Sequence, residues 1–360
     1  MEKVAIAALL VVAACAGKEP SREAASPQPD STPSEASASA APATMEFTKS
    51  SIDARMQAIA EEELASAASA WNEAAGTVIV LDAHTGEVRA LAGPAFATTL
   101  REPGSTLKTL LYATALERGV LALDEPIDCG HGVREFADGV RLADVRDFGT
   151  LTATEAFARS SNVGASRVFD RVGEDPMRAV FSAVGFDAPI SVGERTALAF
   201  EVRSSFAANT FVGATVALGH GLKVSPLHLA AAYTAIADDG IFHAARAVAG
   251  GSGAGRRAFR PEIARKVRGL LAAVVASGGT GEAAAIEGVS VGGKTGTAPI
   301  AGRVDASYGS FVGLAPLDAP RFVVLVGLQV ARPKEEGASG TGGKLAAPVF
   351  ARVVSRLLSE

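Results

Sequence analysis

The chain has 360 residues, 48% hydrophobic and 20% charged, with 34 Lys and Arg against 39 Asp and Glu for a net charge of −5. This is a globular composition, long enough for one large or two small domains, without the basic excess that nucleic-acid binding requires. Five histidines and two cysteines show no ligand spacing, so neither a metal site nor a cofactor is expected.

Met1-Glu2-Lys3 precedes an apolar run, residues 4–14, and then Cys15. A helix needs about 20 residues to span a bilayer, so the run reads as the core of an export signal over residues 1–14. Val12-Ala13-Ala14-Cys15 resembles a bacterial lipobox, which implies cleavage before Cys15 and a diacylated N-terminus. A plain cleaved signal with an incidental cysteine is the alternative. If Cys15 is lipidated, Cys129 has no disulfide partner. Residues 15–44 form a Ser-, Ala- and Pro-rich stretch, and from Lys18 to Thr44 it carries no large apolar side chain. It cannot bury enough surface to offset its ordering entropy and reads as a disordered tether between a membrane and a folded domain.

A helical segment is expected within residues 45–75, opening at Ser51-Ile52-Asp53, with Ile52, Met56, Ile59 and Leu64 on one face. Residues 77–82 and 87–92 form a hairpin around His84-Thr85-Gly86. Its first strand is apolar on both faces, hence central or covered by helices. Pro103-Gly104 makes a turn before a helix over residues 106–116 that closes on Gly119, its stripe being Leu107, Leu110, Leu111 and Ala115. Ser105 then sits in the first turn of a buried helix, where free N–H groups favour developing negative charge. Lys108 stands one turn above it. A serine is a weak nucleophile until a base takes its proton, and a desolvated lysine can be that base. Taken alone, Ser-x-x-Lys equally describes a helix cap followed by a solvated lysine.

Residues 121–283 read as mostly helical, with loops at Gly130-His131-Gly132 and at residues 250–253, and a clear helix over residues 262–276 behind Pro261. Strands return at residues 289–297, 309–315 and 321–330, and a helix closes the chain at residues 346–358. Short connections make the last strands antiparallel neighbours, so the sheet collects strands from both ends of the domain, with the helical lobe between them.

Two more polar clusters follow Ser105-x-x-Lys108. They are Ser160-Ser161-Asn162, behind a helical stretch at residues 151–159, and Lys294-Thr295-Gly296-Thr297, behind Val291-Gly292-Gly293. In this order and spacing they resemble the signatures of the penicillin-binding transpeptidases, for which S-x-x-K and K-T-G are characteristic. The resemblance runs from about Gly76 to the end. It includes Thr85-Gly86-Glu87 in the hairpin, Gly278-Gly279-Thr280-Gly281 before the third cluster and Gly342-Gly343 before the last helix.

The resemblance implies an α/β fold over residues 76–360: a five-stranded antiparallel sheet flanked by helices, joined to an all-helical lobe, with the active site between them. It implies serine acyl transfer on D-alanyl-D-alanine stem peptides of peptidoglycan through an acyl-enzyme, with acylation by β-lactams. Ser105 would be the nucleophile and Lys108 the base, while Ser160 relays a proton to the departing amine. Asn162 would orient the substrate amide and Lys108. Lys294 would keep the site positive, Thr295 and Thr297 would bind a terminal carboxylate, and Gly296 would let the strand edge approach the substrate backbone. The N–H groups of Ser105 and Thr297 would form the oxyanion hole.

Ser160-x-Asn162 without S-D-N, and no evident deacylating Glu, argue against a class A β-lactamase; the context is most similar to the class B transpeptidases. Those usually carry a transmembrane helix and a non-catalytic domain ahead of the transpeptidase. Here a lipobox, a tether and one helical segment stand in their place, which argues against partnership with a division or elongation machine among the cell-wall synthesis proteins and leaves D,D-carboxypeptidase activity open. A D,D-carboxypeptidase or a β-lactam sensor on the same fold is the alternative. By resemblance to lipoprotein sorting, Ala16 lacks the retaining Asp and points to an outer membrane. From other classes, residues 288–295 also fit the P-loop pattern, though a P-loop needs a strand before it and a helix after it, the reverse of this context. A Ser-His-Asp hydrolase would have to use His220, in a loop and without a G-x-S-x-G.

Overall fold

The computed structural model describes residues 50–71, 74–250, 255–300, 302–331 and 341–359. The signal, the lipobox with Cys15 and the tether lie outside them.

Five strands build the main sheet: β1 (Ala75–Asp82), β2 (Val88–Ala92), β3 (Gly292–Ile300), β4 (Arg303–Ala315) and β5 (Phe322–Ala331), in the order β3-β4-β5-β1-β2. Every neighbouring pair is antiparallel, and β1 pairs with β5 from Ala75↔Gln329 to Asp82↔Phe322. The N-terminal hairpin is thus zipped onto the C-terminal strands. Alternate side chains point to opposite faces of a strand. Val78, Val80, Val324, Val326 and Leu328 enter one apolar cluster, and Ile79, Leu81, Val312, Val323 and Leu325 enter another. Both faces are covered, which is why β1 reads as apolar on both sides.

The first face is covered by α1 (Ala54–Ser69) and by α11 (Ala347–Leu358), which follows a short α10 (Gly342–Leu345). Asp53 caps α1 by accepting the Met56 N–H at 3.0 Å. The buried positions of α1 are Ile59, Ala60, Glu63 and Ala67, with Met56 and Leu64 half-buried beside them. Met56, Ile59 and Leu64 thus share one face as expected, while Ile52 precedes the helix and packs on the other cluster.

The second face carries α3 (Lys108–Glu117), α8 (Pro226–Ala237) and α9 (Pro261–Val275), and beyond them lie α4 (Ala153–Ala158), α5 (Asn162–Val172), α6 (Glu174–Ala183) and α7 (Phe211–Ala217); α2 (Pro94–Thr98) is a short link after β2. All twelve residues of α8 are buried, as befits a helix apolar all round at the centre of a domain. The lobe is not purely helical. Residues 126–128 pair with 150–152, 133–135 with 141–143, 190–192 with 195–197, 201–202 with 222–223, and 241–242 with 256–257. Segments of two or three residues are too short to show a period in sequence.

Candidate active site

The Ser105 turn is set by packing. Residues Gly104–Leu107 form a 3-10 turn leading into α3, so the helix expected over 106–116 begins as a tighter spiral. Gly104 has φ +58, and a Cβ there would lie 2.5 Å from the Thr297 carbonyl oxygen and 3.0 Å from its nitrogen. Glycine tolerates that conformation without penalty and brings the Ser105 turn against β3. The Gly104 N–H donates to the Gly219 carbonyl at 3.0 Å. From the buried α8, the Tyr233 hydroxyl donates to the Thr106 carbonyl at 2.8 Å and meets Thr109 Oγ1 at 2.7 Å.

Gly296 shows the same packing from the strand side. A Cβ on it would meet Ser310 Oγ at 2.4 Å, the Pro103 carbonyl oxygen at 2.6 Å and Thr106 Cγ2 at 2.9 Å. A close approach that requires glycine here is to the protein's own Ser105 turn.

Lys108 and Lys294 are both fully buried. Lys108 Nζ donates to the Ser160 carbonyl at 2.7 Å, Asn162 Oδ1 at 2.9 Å, and the Ser161 carbonyl and Ser160 Oγ at 3.3 Å each. None of these bonds goes to Ser105, so the lysine is anchored to the Ser160 turn. Lys294 Nζ donates to the same Ser160 Oγ at 2.9 Å and lies 5.6 Å from the Phe157 ring centre. Burial lowers the Lys108 ammonium to about 7, against the opposing pull of Asp144. Burial, reinforced by the charge of Lys108, lowers Lys294 well below its usual range. Desolvation penalises the charged form, and a second cation nearby adds to the penalty.

Ser160 between them has φ +57. The left-handed region costs a non-glycine residue about 1–2 kcal/mol, and strain of this kind collects at functional sites. Here it turns one hydroxyl toward two amines. Ser161 caps α5, its Oγ accepting the Gly164 N–H at 2.8 Å. Asn162 accepts from Lys108 and donates through Nδ2 to the Ala143 carbonyl at 2.9 Å. On β3, Thr295 is nearly buried with Oγ1 2.9 Å from Thr280 Oγ1, while the exposed Thr297 accepts the Gly342 N–H at 3.2 Å. The three sequence clusters therefore meet at one place, at the edge of the sheet formed by β3, which among the described residues pairs with β4 alone.

Such a site holds a serine hydroxyl at a helix start, an amine poised to lose its proton near neutrality, a bridging hydroxyl and a free strand edge. Those are the parts of acyl transfer. Both rival chemistries fail on the geometry. Lys294 and Thr295 lie inside β3, where no helix N-terminus can cradle a phosphate, so the P-loop reading is discarded. His220 Nδ1 pairs with Glu102 Oε2 at 3.1 Å, and it does not hydrogen-bond Ser105 as a Ser-His-Asp triad requires.

A family model described as the penicillin binding protein transpeptidase domain matches residues 76–355. The chain belongs to that family. It is 33% identical over 336 residues to the probable peptidoglycan D,D-transpeptidase PenA of Neisseria gonorrhoeae, covering 86% of this chain and 56% of that protein. It is 29% identical to the peptidoglycan D,D-transpeptidase FtsI of Escherichia coli, over 86% of this chain and 55% of the relative. The chain thus spans little more than half the length of these relatives. The transpeptidase domain of Burkholderia pseudomallei penicillin-binding protein 3, solved without ligand, superposes with a TM-score of 0.76 at 33% identity, over 88% of this chain and 97% of that one.

In this transpeptidase-family site, sequence reasoning missed Tyr233, Asp144 and Glu102. The Asp144 carboxylate accepts from Ser161 Oγ at 2.6 Å and from the Val163 N–H at 3.2 Å. Glu102 accepts the Gly221 N–H at 3.1 Å and joins the Gly219–Gly221 loop to the Ser105 turn. Only Glu102 carried a signal, its position just ahead of Pro103-Gly104-Ser105.

Proposed function

We propose that this chain is a serine D,D-transpeptidase that cross-links peptidoglycan by acyl transfer from D-alanyl-D-alanine stem peptides, and that β-lactams acylate the same serine. The observation that carries the reading is the pair of buried lysines sharing Ser160 Oγ beside the Ser105 turn. Lys108, which loses its proton at about pH 7, takes in its neutral form the Ser105 proton as Oγ attacks the penultimate D-alanine carbonyl. The N–H groups of Ser105 and Thr297 hold the oxyanion, each worth about 3 kcal/mol in comparable sites. Ser160, in contact with both amines, passes a proton to the departing D-alanine amine. An acceptor amine then attacks the acyl-enzyme and frees Ser105.

Lys294 has a second task. Burial and Lys108 press it toward the neutral form, and a substrate carboxylate arriving at Thr295 and Thr297 supplies the counter-charge that returns its proton. The terminal carboxylate of the stem peptide, or that of a penicillin, is thereby recognised. Asn162, already bonded to Lys108, orients the substrate amide.

The deciding experiment incubates a defined pentapeptide ending in D-alanyl-D-alanine with the protein, with and without an acceptor amine, followed by mass spectrometry. The reading predicts a product joined to the amine. Loss of D-alanine to water alone would make the chain a D,D-carboxypeptidase. A covalent penicillin adduct without peptide turnover would make it a sensor.

The reading also puts the catalytic domain outside the cytoplasm, where peptidoglycan lies, carried by residues 1–14 as a signal and held to a membrane through Cys15 and the tether. Two acyl chains anchor stably where one binds only marginally. Among the described residues no helix is long and apolar enough to cross a membrane. Wild-type protein should partition with membranes, and Cys15→Ser should remain unprocessed or become soluble. A soluble wild type with a free N-terminus at Ala16 or beyond rules the lipid out.

A further inference from the structure

We propose that Asp144 is a positioning residue, whose carboxylate clamps the Ser160-Ser161-Asn162 turn so that its oxygens converge on Lys108, and which lends Lys108 its one facing negative charge. The inference rests on the reading of Lys108 as the base.

Asp144 follows the short strand Arg141–Ala143 and is itself fixed, its N–H donating to the Gly132 carbonyl at 2.8 Å. One carboxylate oxygen accepts Ser161 Oγ–H at 2.6 Å, and the other accepts the N–H groups of Asn162 and, at 3.2 Å, Val163. The preceding residue contributes as well, the Ala143 carbonyl taking the Asn162 Nδ2 hydrogen at 2.9 Å. Ser161 already caps α5, so the carboxylate is more than a cap. It locks both the backbone and the side chain of residues 161–162 from a loop 17–19 residues away.

What that lock holds is the Lys108 cradle. All four of its acceptors, the Ser160 carbonyl and Oγ, the Ser161 carbonyl and Asn162 Oδ1, lie on the clamped turn. The left-handed Ser160, φ +57, is kept in place by the same clamp. A negative charge at the N-terminus of α5 is also favoured by the helix dipole.

The charge has a second effect. The titratable groups whose charge reaches Lys108 are Asp144, Cys129 behind the first lobe strand and Lys294 on β3, with Tyr112 one turn on along α3 sharing the influence of Cys129 and Asp144. Burial raises both the Tyr112 phenol and the Cys129 thiol, keeping them neutral. Among these groups only Asp144 is a carboxylate, and an anion favours the protonated form of a nearby lysine. It therefore moderates the desolvation that would otherwise strip Lys108 of its proton at much lower pH.

The test is the second-order rate of acylation by a fluorescent penicillin between pH 5.5 and 9, for wild type, Asp144→Asn and Asp144→Glu, each with its melting temperature measured. Asn keeps an acceptor for the two N–H groups and loses the charge. The acid limb of its profile should move about one unit to lower pH, with a lower plateau. Glu keeps the charge in a displaced position, so its limb should stay at the wild-type pH while its plateau falls. A purely structural role would lower the plateau of Asp144→Asn without moving the limb, and that result overturns the proposal. Should Asp144→Asn not fold, Asp144→Ser, with room for a water in place of the carboxylate, is read in the same way. A wild type that takes no penicillin at any pH overturns both this proposal and the transpeptidase reading, whereas a labelled wild type with an unmoved limb overturns this proposal alone.

Discussion

On the α1–α11 face of the sheet, the buried Glu63 carboxylate meets Arg352 at 2.7 Å and Arg356 at 3.1 Å. On the opposite face, Lys108 and Lys294 are more deeply buried, and their hydrogen bonds go to carbonyl, amide and hydroxyl oxygens. Burial alone would raise the Glu63 carboxyl, but the two guanidiniums outweigh it and hold it below the usual range. For Lys108 burial outweighs the opposing pull of Asp144, and for Lys294 the charge of Lys108 adds to burial, so neither lysine is held in its charged form. A charge that joins two helices is matched, and its proton equilibrium is taken out of the physiological range. A charge that must come and go during chemistry is left without a matching ion at bonding distance, so desolvation brings its proton equilibrium toward neutrality.

If that contrast holds, the two faces respond to substitution in opposite ways. The largest effect is expected at Ser105→Ala, which should fold normally and lose all covalent labelling by a fluorescent penicillin, as read on a denaturing gel. Label that survives and maps elsewhere removes Ser105 from the mechanism. Next, Lys294→Ala should slow penicillin acylation by about 10- to 100-fold while leaving it measurable, since it removes mainly carboxylate recognition. On the other face, Glu63→Ala should lower unfolding stability by about 1–3 kcal/mol in a denaturant titration, because it strands two arginines that are partly exposed and so partly screened. Its acylation rate should match wild type, and a large loss would show that the faces are coupled.

The smallest effect sharpens the contrast by its sign. Lys294→Met exchanges a desolvated amine for an apolar chain of similar length, and it should stabilise the fold by about 1–2 kcal/mol at pH 7 while impairing acylation. In the folded protein burial holds the Lys294 ammonium well below its ordinary value of 10.5. Between that lowered value and 10.5 the unfolded chain binds more protons, so wild-type stability rises with pH. The advantage of Lys294→Met should accordingly shrink as pH climbs toward 10.5. A destabilised variant would mean that the buried amine supports the fold.

The readable parts of the sequence were those with local signals. The hairpin at residues 77–92 is marked by a turn between β-formers, and α3 by the period of its leucines, although the helix is buried on every side and not along one stripe. The three polar clusters could be placed on the start of a helix, a turn and a strand. Their convergence was an inference from resemblance, because Lys108 and Lys294 reach Ser160 across 52 and 134 residues of chain, and no local pattern encodes such a contact. Tyr233 reaches Thr109 across 124 residues, and in sequence it is one aromatic in an apolar helix. Nothing local to Glu63 signals that α11 brings Arg352 and Arg356 to it across 289 and 293 residues. The 3-10 start of α3 follows from Gly104 packing on Thr297, and the short lobe ladders from contacts equally remote in sequence.

The central claim is that Lys108 loses its proton near pH 7 and, once neutral, takes the Ser105 proton. It is tested most directly by the pH dependence of the penicillin acylation rate for wild type beside Lys108→Arg. Arginine keeps a positive charge and much of the length but does not give up its proton, and a positioned general base contributes roughly 10²- to 10⁴-fold. Wild type should show an acid limb centred near the pH of about 7 at which Lys108 loses its proton. Lys108→Arg should fold and show acylation depressed by roughly that factor at every pH, with no limb. Acylation of Lys108→Arg at the wild-type rate would contradict the account and pass the role of base to another group near Ser105, with Ser160 the first candidate.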